Sequence, residues 1–330
     1  NKTGYVRAMI GGNPTSNPTG LNHVTQIKRQ PGSSFKPFLY GKLLEDGYTL
    51  ASPLLDAPIV VDSGTAYEWR PLNDDTLFSG KFIPMIDALQ NSKNLCAAYA
   101  IKHLTKPDSV VIFAHRLGIN SQLNPYPSIV LGTSEVSPFE MARAVSVFSS
   151  EGYLAKPISI VKYGDKYKHE WWNEKIDTTR VLDSVICYQI TYAMQTVVDS
   201  GTAKSVRRYY SYPAAGKTGT SQNHTDAWFV GFTPNLTTVI WIGFDDASKK
   251  LSGSYKYGGS AAAPIWAKMM AEIVRKIPAY YKSSFHKPDN VEIKETCVDY
   301  DTENIENCKV KRLIPFKKIT EENYSGDQGK

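Results

Sequence analysis

Residues 29–38 read RQPGSSFKPF, and this stretch joins a helix start to a serine and a lysine three positions apart. A Pro-Gly pair precedes Ser33, and apolar residues at helical spacing follow it to about Gly47, which predicts a helix that begins at Ser33. Lys36 then lies one turn further on, on the same helical face. A serine hydroxyl is a poor nucleophile until a base removes its proton, and a buried lysine with a lowered pKa can be that base. Taken alone, the pair also fits an N-cap serine beside a surface lysine.

A second motif, SKN at residues 92–94, stands at a break in a helical pattern that runs over about 83–103. The Ser92 hydroxyl could relay a proton to a leaving amine, and the Asn94 carboxamide could hold a peptide bond of a substrate. The alternative interpretation is a simple turn in which one of these residues caps the following helix.

A third motif, KTGT at residues 217–220, opens a predicted strand. Lys217 would be the second cation that lowers the pKa of Lys36. Together with Lys217, the hydroxyls of Thr218 and Thr220 suit a carboxylate. Gly219 lets a ligand come close to the backbone, so an extended substrate could pair with this strand edge.

The rest of the pattern is that of an α+β chain. Helices are also predicted at about 107–117, 137–151, 181–199 and 264–276, strands at 5–10, Asp226–Phe232 and 236–244, and a loop at 13–20. Helices followed by adjacent strands predict an antiparallel sheet and not a βαβ repeat. Beyond Pro278 the chain turns polar, which predicts a tail or a short appendage.

Composition excludes several classes of protein. The chain has 330 residues, of which 42% are hydrophobic and 21% charged, so it is neither disordered nor fibrous. No stretch approaches the roughly 18 consecutive apolar residues of a membrane span. The net charge of +6 comes without the Lys/Arg run that marks a nucleic-acid site.

Four cysteines are too few for a disulfide scaffold and show no metal-binding spacing. Cys96 and Cys187 fall in apolar helical patterns, which predicts that they lie in the core. Cys297 and Cys308 flank a short acidic segment and could close a loop or remain two unrelated thiols.

Five ordered segments resemble the transpeptidase part of class A, high-molecular-weight penicillin-binding proteins. They are RQPGSSFKPF at 29–38, WRPLN at 69–73, LGTSEVSP at 131–138, AGKTGTSQ at 215–222 with DAWFVGFTP at 226–234, and GG at 258–259 with APIW at 263–266. The SxxK, SxN and KTG motifs are the shared signature of these enzymes and of serine β-lactamases. The resemblance runs from about residue 5 to about residue 275, and the common order gives the short motifs a weight that none has alone.

The resemblance implies a serine β-lactamase/transpeptidase-like fold, an antiparallel sheet with helices on both faces. It implies a transpeptidase domain at residues 1–277 and a polar C-terminal tail or appendage at 278–330. It also implies that Ser33 is the acylated nucleophile and Lys36 its general base, with no metal and no cofactor.

The remaining site roles are carried over from the family in the same way. Ser92 would shuttle a proton, Asn94 would hold the substrate amide, and Lys217 would support the electrostatics around them. Thr218, Gly219 and Thr220 would form the strand that binds the terminal carboxylate, and the N–H groups of Ser33 and Thr220 would form the oxyanion hole.

The implied activity is that of a peptidoglycan DD-transpeptidase. It would crosslink stem peptides through an acyl-enzyme formed at D-Ala–D-Ala, and β-lactam antibiotics would acylate the same serine. The full-length protein would work at the outer face of the bacterial plasma membrane. It would carry an upstream membrane anchor and a glycosyltransferase domain, would bind other cell-wall synthesis proteins, and would not bind nucleic acid.

Four other functions remain open from the sequence. A serine β-lactamase needs a base for the deacylating water, and no Glu-x-x-x-Asn or Glu-x-x-Leu-Asn arrangement lies between Asn94 and Lys217. A DD-carboxypeptidase would pass the acyl group to water, and a β-lactam-sensing receptor domain would stop at acylation. A peptidoglycan-binding module would not explain Lys36 and Lys217 together.

In an extracytoplasmic enzyme a bridge between Cys297 and Cys308 is favoured.

Overall fold

The computed structural model describes residues 1–12, 20–66, 68–165, 167, 170–280, 283–301 and 308–318. Over these residues the α-helices are α1 Lys36–Glu45, α2 Met85–Gln90, α3 Asn94–His103, α4 Pro107–Arg116, α5 Pro138–Ser149, α6 Ser184–Asp199 and α7 Ala262–Lys276. The strands are β1 Pro53–Leu55, β2 Phe82–Pro84, β3 Tyr153–Ala155, β4 Lys162–Gly164, β5 Glu170–Asn173, β6 Thr178–Arg180, β7 Ala215–Thr220, β8 Asp226–Phe232, β9 Thr237–Gly243, β10 Val291–Cys297 and β11 Lys311–Lys317. Short 3₁₀ turns at Gly32–Phe35 and Pro127–Leu131 precede α1 and α5. None of the described helices is long and apolar enough to cross a bilayer.

A three-stranded antiparallel sheet in the order β7-β8-β9 is the largest sheet of the described residues. The sequence DAWFVGF makes β8 its middle strand, because aromatic and β-branched residues suit a strand that is buried on both faces, and all seven residues are buried. On one face, Phe229 packs edge-on against Trp266 of α7. On the other face, the Trp228 indole N–H donates to the carbonyl of Gln30 at 2.9 Å. Helices α5 and α6 also contact strands of this sheet, and helices packed on an antiparallel sheet confirm the predicted α+β architecture.

The helical part packs around α1 and α6. The side chains of Phe38, Leu39 and Leu43 on α1 are completely buried in the main hydrophobic core, together with Ile190 and Met194 of α6. Because α6 leads through residues 201–214 directly into β7, this packing fixes the edge strand of the sheet against the start of α1.

One predicted element is wrong and another is divided where the sequence predicts. The predicted strand at 5–10 is wrong: Tyr5 makes an isolated bridge to Ile158, and the residues after it have no partner strand among the described residues. The helical pattern over 83–103 is two helices, α2 and α3, separated at the predicted break. Ser92 between them has a φ of 58°, a left-handed conformation that an α-helix cannot contain. The predicted loop at 13–20 lies outside the described residues except for Gly20.

The segment after residue 277 contains the antiparallel hairpin β10–β11. Ile314 of β11 is completely buried in the main core, and the carbonyl of Pro315 accepts a hydrogen bond from Gln189 of α6 at 2.9 Å. A disulfide joins Cys297 to Cys308, whereas Cys96 and Cys187 are free and buried, as the helical patterns predict. The polar appearance of the segment follows from one-sided burial, because most of its side chains face solvent.

Candidate active site

Ser33 lies in the 3₁₀ turn Gly32–Phe35 that leads into α1. We call these four residues the Ser33 turn. Within residues 31–41, Ser33 is partly exposed while every neighbour from Pro31 to Gly41 is buried. Its hydroxyl makes no hydrogen bond to another described residue, whereas the adjacent Ser34 hydroxyl donates to the Pro31 carbonyl at 2.7 Å. Of the two adjacent serines, Ser33 is thus the one whose hydroxyl a ligand could reach.

Close backbone packing from two sides holds the Ser33 turn. Gly32 has a φ of +56°, and a Cβ on it would lie 2.2 Å from the carbonyl oxygen of Thr220 on β7. Gly132 has a φ of +70°, and a Cβ there would lie 2.2 Å from the Gly32 carbonyl oxygen. A side chain at either position would push the turn away from its support, so both positions require glycine.

Lys36 is completely buried and forms the centre of a hydrogen-bonded network. Its Nζ donates to the Ser92 carbonyl at 2.6 Å, to the Ser92 Oγ at 3.2 Å and to the Asn94 Oδ1 at 2.6 Å. The left-handed conformation of Ser92 presents both its carbonyl and its hydroxyl to Lys36. Such a strained non-glycine residue is typical of a functional site.

Lys217 reaches the same hydroxyl from the sheet. Its Nζ donates to the Ser92 Oγ at 2.8 Å and to the Thr218 carbonyl at 3.1 Å, and its side chain is completely buried. Two ammonium groups from distant parts of the chain therefore converge on one serine hydroxyl.

Burial changes the pKa of both lysines. Desolvation lowers the pKa of Lys36 from 10.5 to about 7, against a smaller raising effect of the Asp74 charge. Desolvation, followed by repulsion from Lys36, holds the pKa of Lys217 well below its ordinary value, and Asp74 again opposes the shift. A lysine with a pKa near 7 has a substantial neutral fraction at pH 7 and can accept a proton, whereas an exposed lysine is almost entirely charged.

Residues of the WRPLND segment support the SKN motif, although sequence reasoning gave them no role. The Asn73 Oδ1 accepts from the N–H groups of Asn94 at 2.8 Å and Leu95 at 3.2 Å, and so satisfies the first turn of α3. The Asn94 Nδ2 donates to the Leu72 carbonyl at 2.8 Å and to the Asp74 Oδ1 at 3.2 Å. In the sequence, the position of Asn73 at the end of the shared WRPLN motif was the one sign that it has a role in the site.

The KTGT strand is already engaged with its surroundings. The Thr218 hydroxyl is 2.8 Å from that of Thr202, a second residue that sequence reasoning missed, and the Thr220 hydroxyl accepts from the Gly258 N–H at 3.3 Å. A Cβ on Gly219 would lie 2.2 Å from the Pro31 carbonyl oxygen. The absence of a side chain at Gly219 thus lets the backbone next to the Ser33 turn pack against β7.

The structure brings all the predicted site residues to one place. Lys36, Ser92, Asn94 and Lys217 share one hydrogen-bonded network, and the Ser33 turn packs directly on β7 with Thr218, Gly219 and Thr220. The site lies between the helical region and the edge strand of the sheet, and its two walls come from segments that are far apart in the chain.

A family model, the penicillin-binding protein transpeptidase domain, matches residues 1–271. The chain therefore belongs to the family of penicillin-binding protein transpeptidase domains. Among curated proteins it is similar to penicillin-binding protein 1A of Neisseria cinerea, with 36% identity over 281 residues, 82% of this chain and 34% of that protein. Penicillin-binding protein 1A of Pseudomonas aeruginosa is 30% identical over 331 residues, which cover 84% of this chain and 40% of that protein.

Solved structures agree with this assignment. The crystal structure of penicillin-binding protein 1A from Haemophilus influenzae matches with a TM-score of 0.83 and 26% identity over 92% of this chain and 50% of that one. The PonA1 protein of Mycobacterium tuberculosis in complex with penicillin V matches in fold with a TM-score of 0.72 at 24% identity, over 82% of this chain and 75% of that one. The chain spans about a third of the length of the curated relatives that it matches.

Proposed function

We propose that this chain is a serine DD-transpeptidase that crosslinks peptidoglycan stem peptides, with Ser33 as the acylated nucleophile. The observation that carries the proposal is the convergence of the buried Lys36 and Lys217 on the Ser92 hydroxyl, one helical turn from the accessible Ser33. A structural role alone does not explain two buried lysines, because a buried ammonium is costly unless the group loses its proton.

Acylation would proceed as a proton relay. The Ser33 Oγ attacks the carbonyl carbon of the D-Ala–D-Ala amide, and its proton passes to the neutral Nζ of Lys36. Lys36 returns a proton through the Ser92 hydroxyl to the leaving nitrogen, the C–N bond breaks, and D-alanine departs. The backbone N–H groups of Ser33 and Thr220 would stabilise the oxyanion, and Lys217 with Thr218 and Thr220 would hold the terminal carboxylate.

Deacylation would complete the crosslink. The amine of a second stem peptide attacks the ester carbonyl, its proton passes to Lys36, and the Ser33 hydroxyl is restored as the new amide forms. A β-lactam would acylate Ser33 by the same first half of the reaction. Because opening of its ring releases no fragment, Ser33 would stay acylated. Asn94 would orient the substrate amide during both halves, although its Oδ1 now accepts from Lys36.

We further propose that residues 1–277 form the catalytic domain and residues 278–330 an appendage to it. The whole protein would act at the outer face of the plasma membrane, where peptidoglycan is assembled. The membrane anchor and the glycosyltransferase domain would lie in parts of a longer protein. The greater length of the relatives supports that arrangement.

Intact-mass spectrometry after incubation with benzylpenicillin tests the nucleophile. We expect one penicilloyl adduct on the wild type and none on Ser33→Ala. Ser34→Ala is the matched control, because Ser34 is the adjacent buried serine, and it should keep the adduct. An adduct that persists in Ser33→Ala would show that the nucleophile is another residue.

The lifetime of the adduct separates the remaining candidates. A transpeptidase should keep the penicilloyl group for hours, whereas a β-lactamase would release it within milliseconds. Incubation with a D-Ala–D-Ala donor peptide and an amine acceptor should give the crosslinked product. Hydrolysed donor alone would indicate a carboxypeptidase, and acylation with no further product would indicate a sensor domain.

A further inference from the structure

Asp74 is an exposed carboxylate at the entrance to the lysine network. Its Oδ1 accepts from the Asn94 Nδ2 at 3.2 Å, while the Asn94 Oδ1 accepts from the Lys36 Nζ at 2.6 Å. A carboxamide has one accepting and one donating end. Asp74 and the Leu72 carbonyl, which accepts from the same Nδ2 at 2.8 Å, together hold the donating end and so turn the Oδ1 end toward Lys36. The chain of contacts runs from Asp74 through Asn94 to Lys36 and on to Ser92.

Other charged groups around the network are already paired or distant from it. Asp56 is buried, accepts from Asn73 at 2.8 Å and lies 3.6 Å from the Nζ of Lys93. The Cys96 thiol on α3 is buried, and burial raises its pKa far above the ordinary value, so it remains neutral. His224, in the loop after β7, has a pKa lowered by burial and by the charge of Lys256. Asp74 thus supplies the negative charge that acts on both buried lysines.

We propose that Asp74 is a positioning residue for acylation: it orients the Asn94 carboxamide toward Lys36, and its charge stabilises protonated lysine in the buried network. This proposal rests on the function proposed above. Burial favours the neutral form of Lys36, burial and repulsion from Lys36 favour the neutral form of Lys217, and the Asp74 carboxylate opposes both shifts. Lys36 then remains basic enough to take the Ser33 proton near neutral pH, where a general base is most effective.

Two variants of Asp74 separate its charge from its hydrogen bond. Asp74→Asn keeps an oxygen that can accept from Asn94 but removes the charge, whereas Asp74→Ala removes both. Asp75→Asn is the matched control, since it removes the same charge one residue further along. Asp75 lies 3.8 Å from Lys93 and makes no contact with Asn94.

The readout is the second-order rate of penicilloyl adduct formation from pH 5 to pH 9. The rate falls at low pH because protonated Lys36 is not a base. Loss of the Asp74 charge favours neutral lysine, so this acid limb should move to lower pH in Asp74→Asn by roughly half a unit to one unit. It should stay in place in Asp75→Asn. High salt should shrink the shift, since the carboxylate is exposed.

Asp74→Ala should show the same displaced limb and a plateau rate severalfold below that of Asp74→Asn, because the Leu72 carbonyl alone would then hold the Asn94 Nδ2. Equal limb positions in Asp74→Asn and Asp75→Asn would overturn the charge role, and a shift to higher pH would overturn it as well. Equal plateaus in the two Asp74 variants would overturn the orienting role.

Thermal unfolding gives a readout that does not depend on acylation. At pH 6, below the folded-state pKa of about 7, Lys36 takes up a proton, and Asp74→Asn should then unfold at a lower temperature than Asp75→Asn. At pH 9 Lys36 is neutral, and the gap between the two variants should narrow. A difference in unfolding temperature of the same size at both pH values would overturn the role of Asp74, whether or not the wild type forms a penicilloyl adduct. Absence of the adduct in the wild type would by itself refute only the proposed function.

Discussion

Two buried lysines within reach of one hydroxyl are the most unusual residues of this chain. Lys36 and Lys217 are completely buried, and both donate to the Ser92 Oγ. Two ammonium groups in such a place repel each other and lose their hydration, so folding favours the neutral forms. The chain thereby gives up stability at neutral pH, and the role of general base proposed for Lys36 would account for this cost.

This cost should be visible in the pH dependence of stability. In the folded state the pKa of Lys36 is about 7, whereas the ordinary value is 10.5. Between these values the unfolded chain binds a proton that the folded chain lacks, so folding is penalised below pH 10.5 and the penalty fades as pH rises. Relative to Lys36→Met, the wild type should gain about 2 kcal/mol in unfolding free energy between pH 7.5 and 9.5.

Urea denaturation of both proteins at the two pH values measures this difference. Other titrating groups cancel in the comparison, because they are common to the two proteins. Parallel changes in the wild type and Lys36→Met would mean that Lys36 keeps its ordinary pKa in the folded state.

The sequence allowed part of this site to be predicted residue by residue. The spacing of Ser33 and Lys36 on one helix, and the pairing of Lys217 with a strand start, are local patterns with a chemical meaning. Asn73, Asp74 and Thr202 were missed, because their contacts depend on how irregular segments fold onto α3 and β7. No periodicity marks such contacts in one sequence.

At the scale of elements, a glycine contact joins three segments that are far apart in the chain. The Ser33 turn lies between residues 131–138, which lead into α5, and strand β7. The Gly32 N–H donates to the Gly132 carbonyl at 3.3 Å, and Arg29 forms an isolated antiparallel bridge to Val136. Glu140 of α5 fastens the same segment, because its carboxylate accepts from the Ser137 N–H at 2.9 Å in a capping box.

Substitution of Gly132 tests this support. In Gly132→Ala the new methyl group would meet the Gly32 carbonyl oxygen, so the Ser33 turn must shift. We expect the benzylpenicillin acylation rate to fall at least tenfold, since a displacement of about 1 Å in a catalytic group has effects of this size.

Gly80→Ala is the matched control for this prediction. Gly80 has a similar φ of +72°, but nothing lies within 4 Å of a Cβ there. Both variants pay the backbone strain of about 1 kcal/mol, and Gly132→Ala alone should lose acylation. Equal acylation rates in the two variants would mean that the Gly132 contact does not position Ser33.

The elements themselves were largely predictable, and the exceptions have physical reasons. The helices at Lys36–Glu45, Pro107–Arg116 and Ser184–Asp199 follow the apolar periodicity closely. The expected strand at 5–10 failed because residues that favour an extended backbone do not by themselves supply a partner strand. The break at Ser92 was foreseen, but its left-handed conformation was not.

At the scale of the whole molecule, the C-terminal hairpin is part of the folded body. Besides the burial of Ile314, Arg312 forms a bidentate pair with Asp87 of α2, with an N···O distance of 3.0 Å for the closer bond. Helix α2 ends two residues before Ser92, so the hairpin packs on an element that leads into the site. The composition after Pro278 concealed this packing, since the few buried residues of the hairpin, Val291, Ile314 and Pro315, stand among exposed polar neighbours.

The hairpin should therefore contribute to global stability. Ile314→Ala should lower the unfolding free energy by about 2–4 kcal/mol, because it leaves a cavity in the main core. Leu313→Ala, one position earlier and 56% exposed, should change it by less than about 0.5 kcal/mol. Urea unfolding measures both, and equal effects would mean that the hairpin is a detachable tail.

The cysteine arrangement sets an order of events for oxidative folding. In the unfolded chain any two of the four thiols can pair, yet the native molecule joins Cys297 to Cys308, only 11 positions apart, and leaves Cys96 and Cys187 sealed in the core. Short loops close at the lowest entropic cost, so the native pair should form faster than pairs that close longer loops. The other two thiols are safe only once α3 and α6 have packed. A substitution that slows the packing of α3 and α6 should therefore increase the fraction of molecules with non-native disulfides, even if it does not destabilise the native fold.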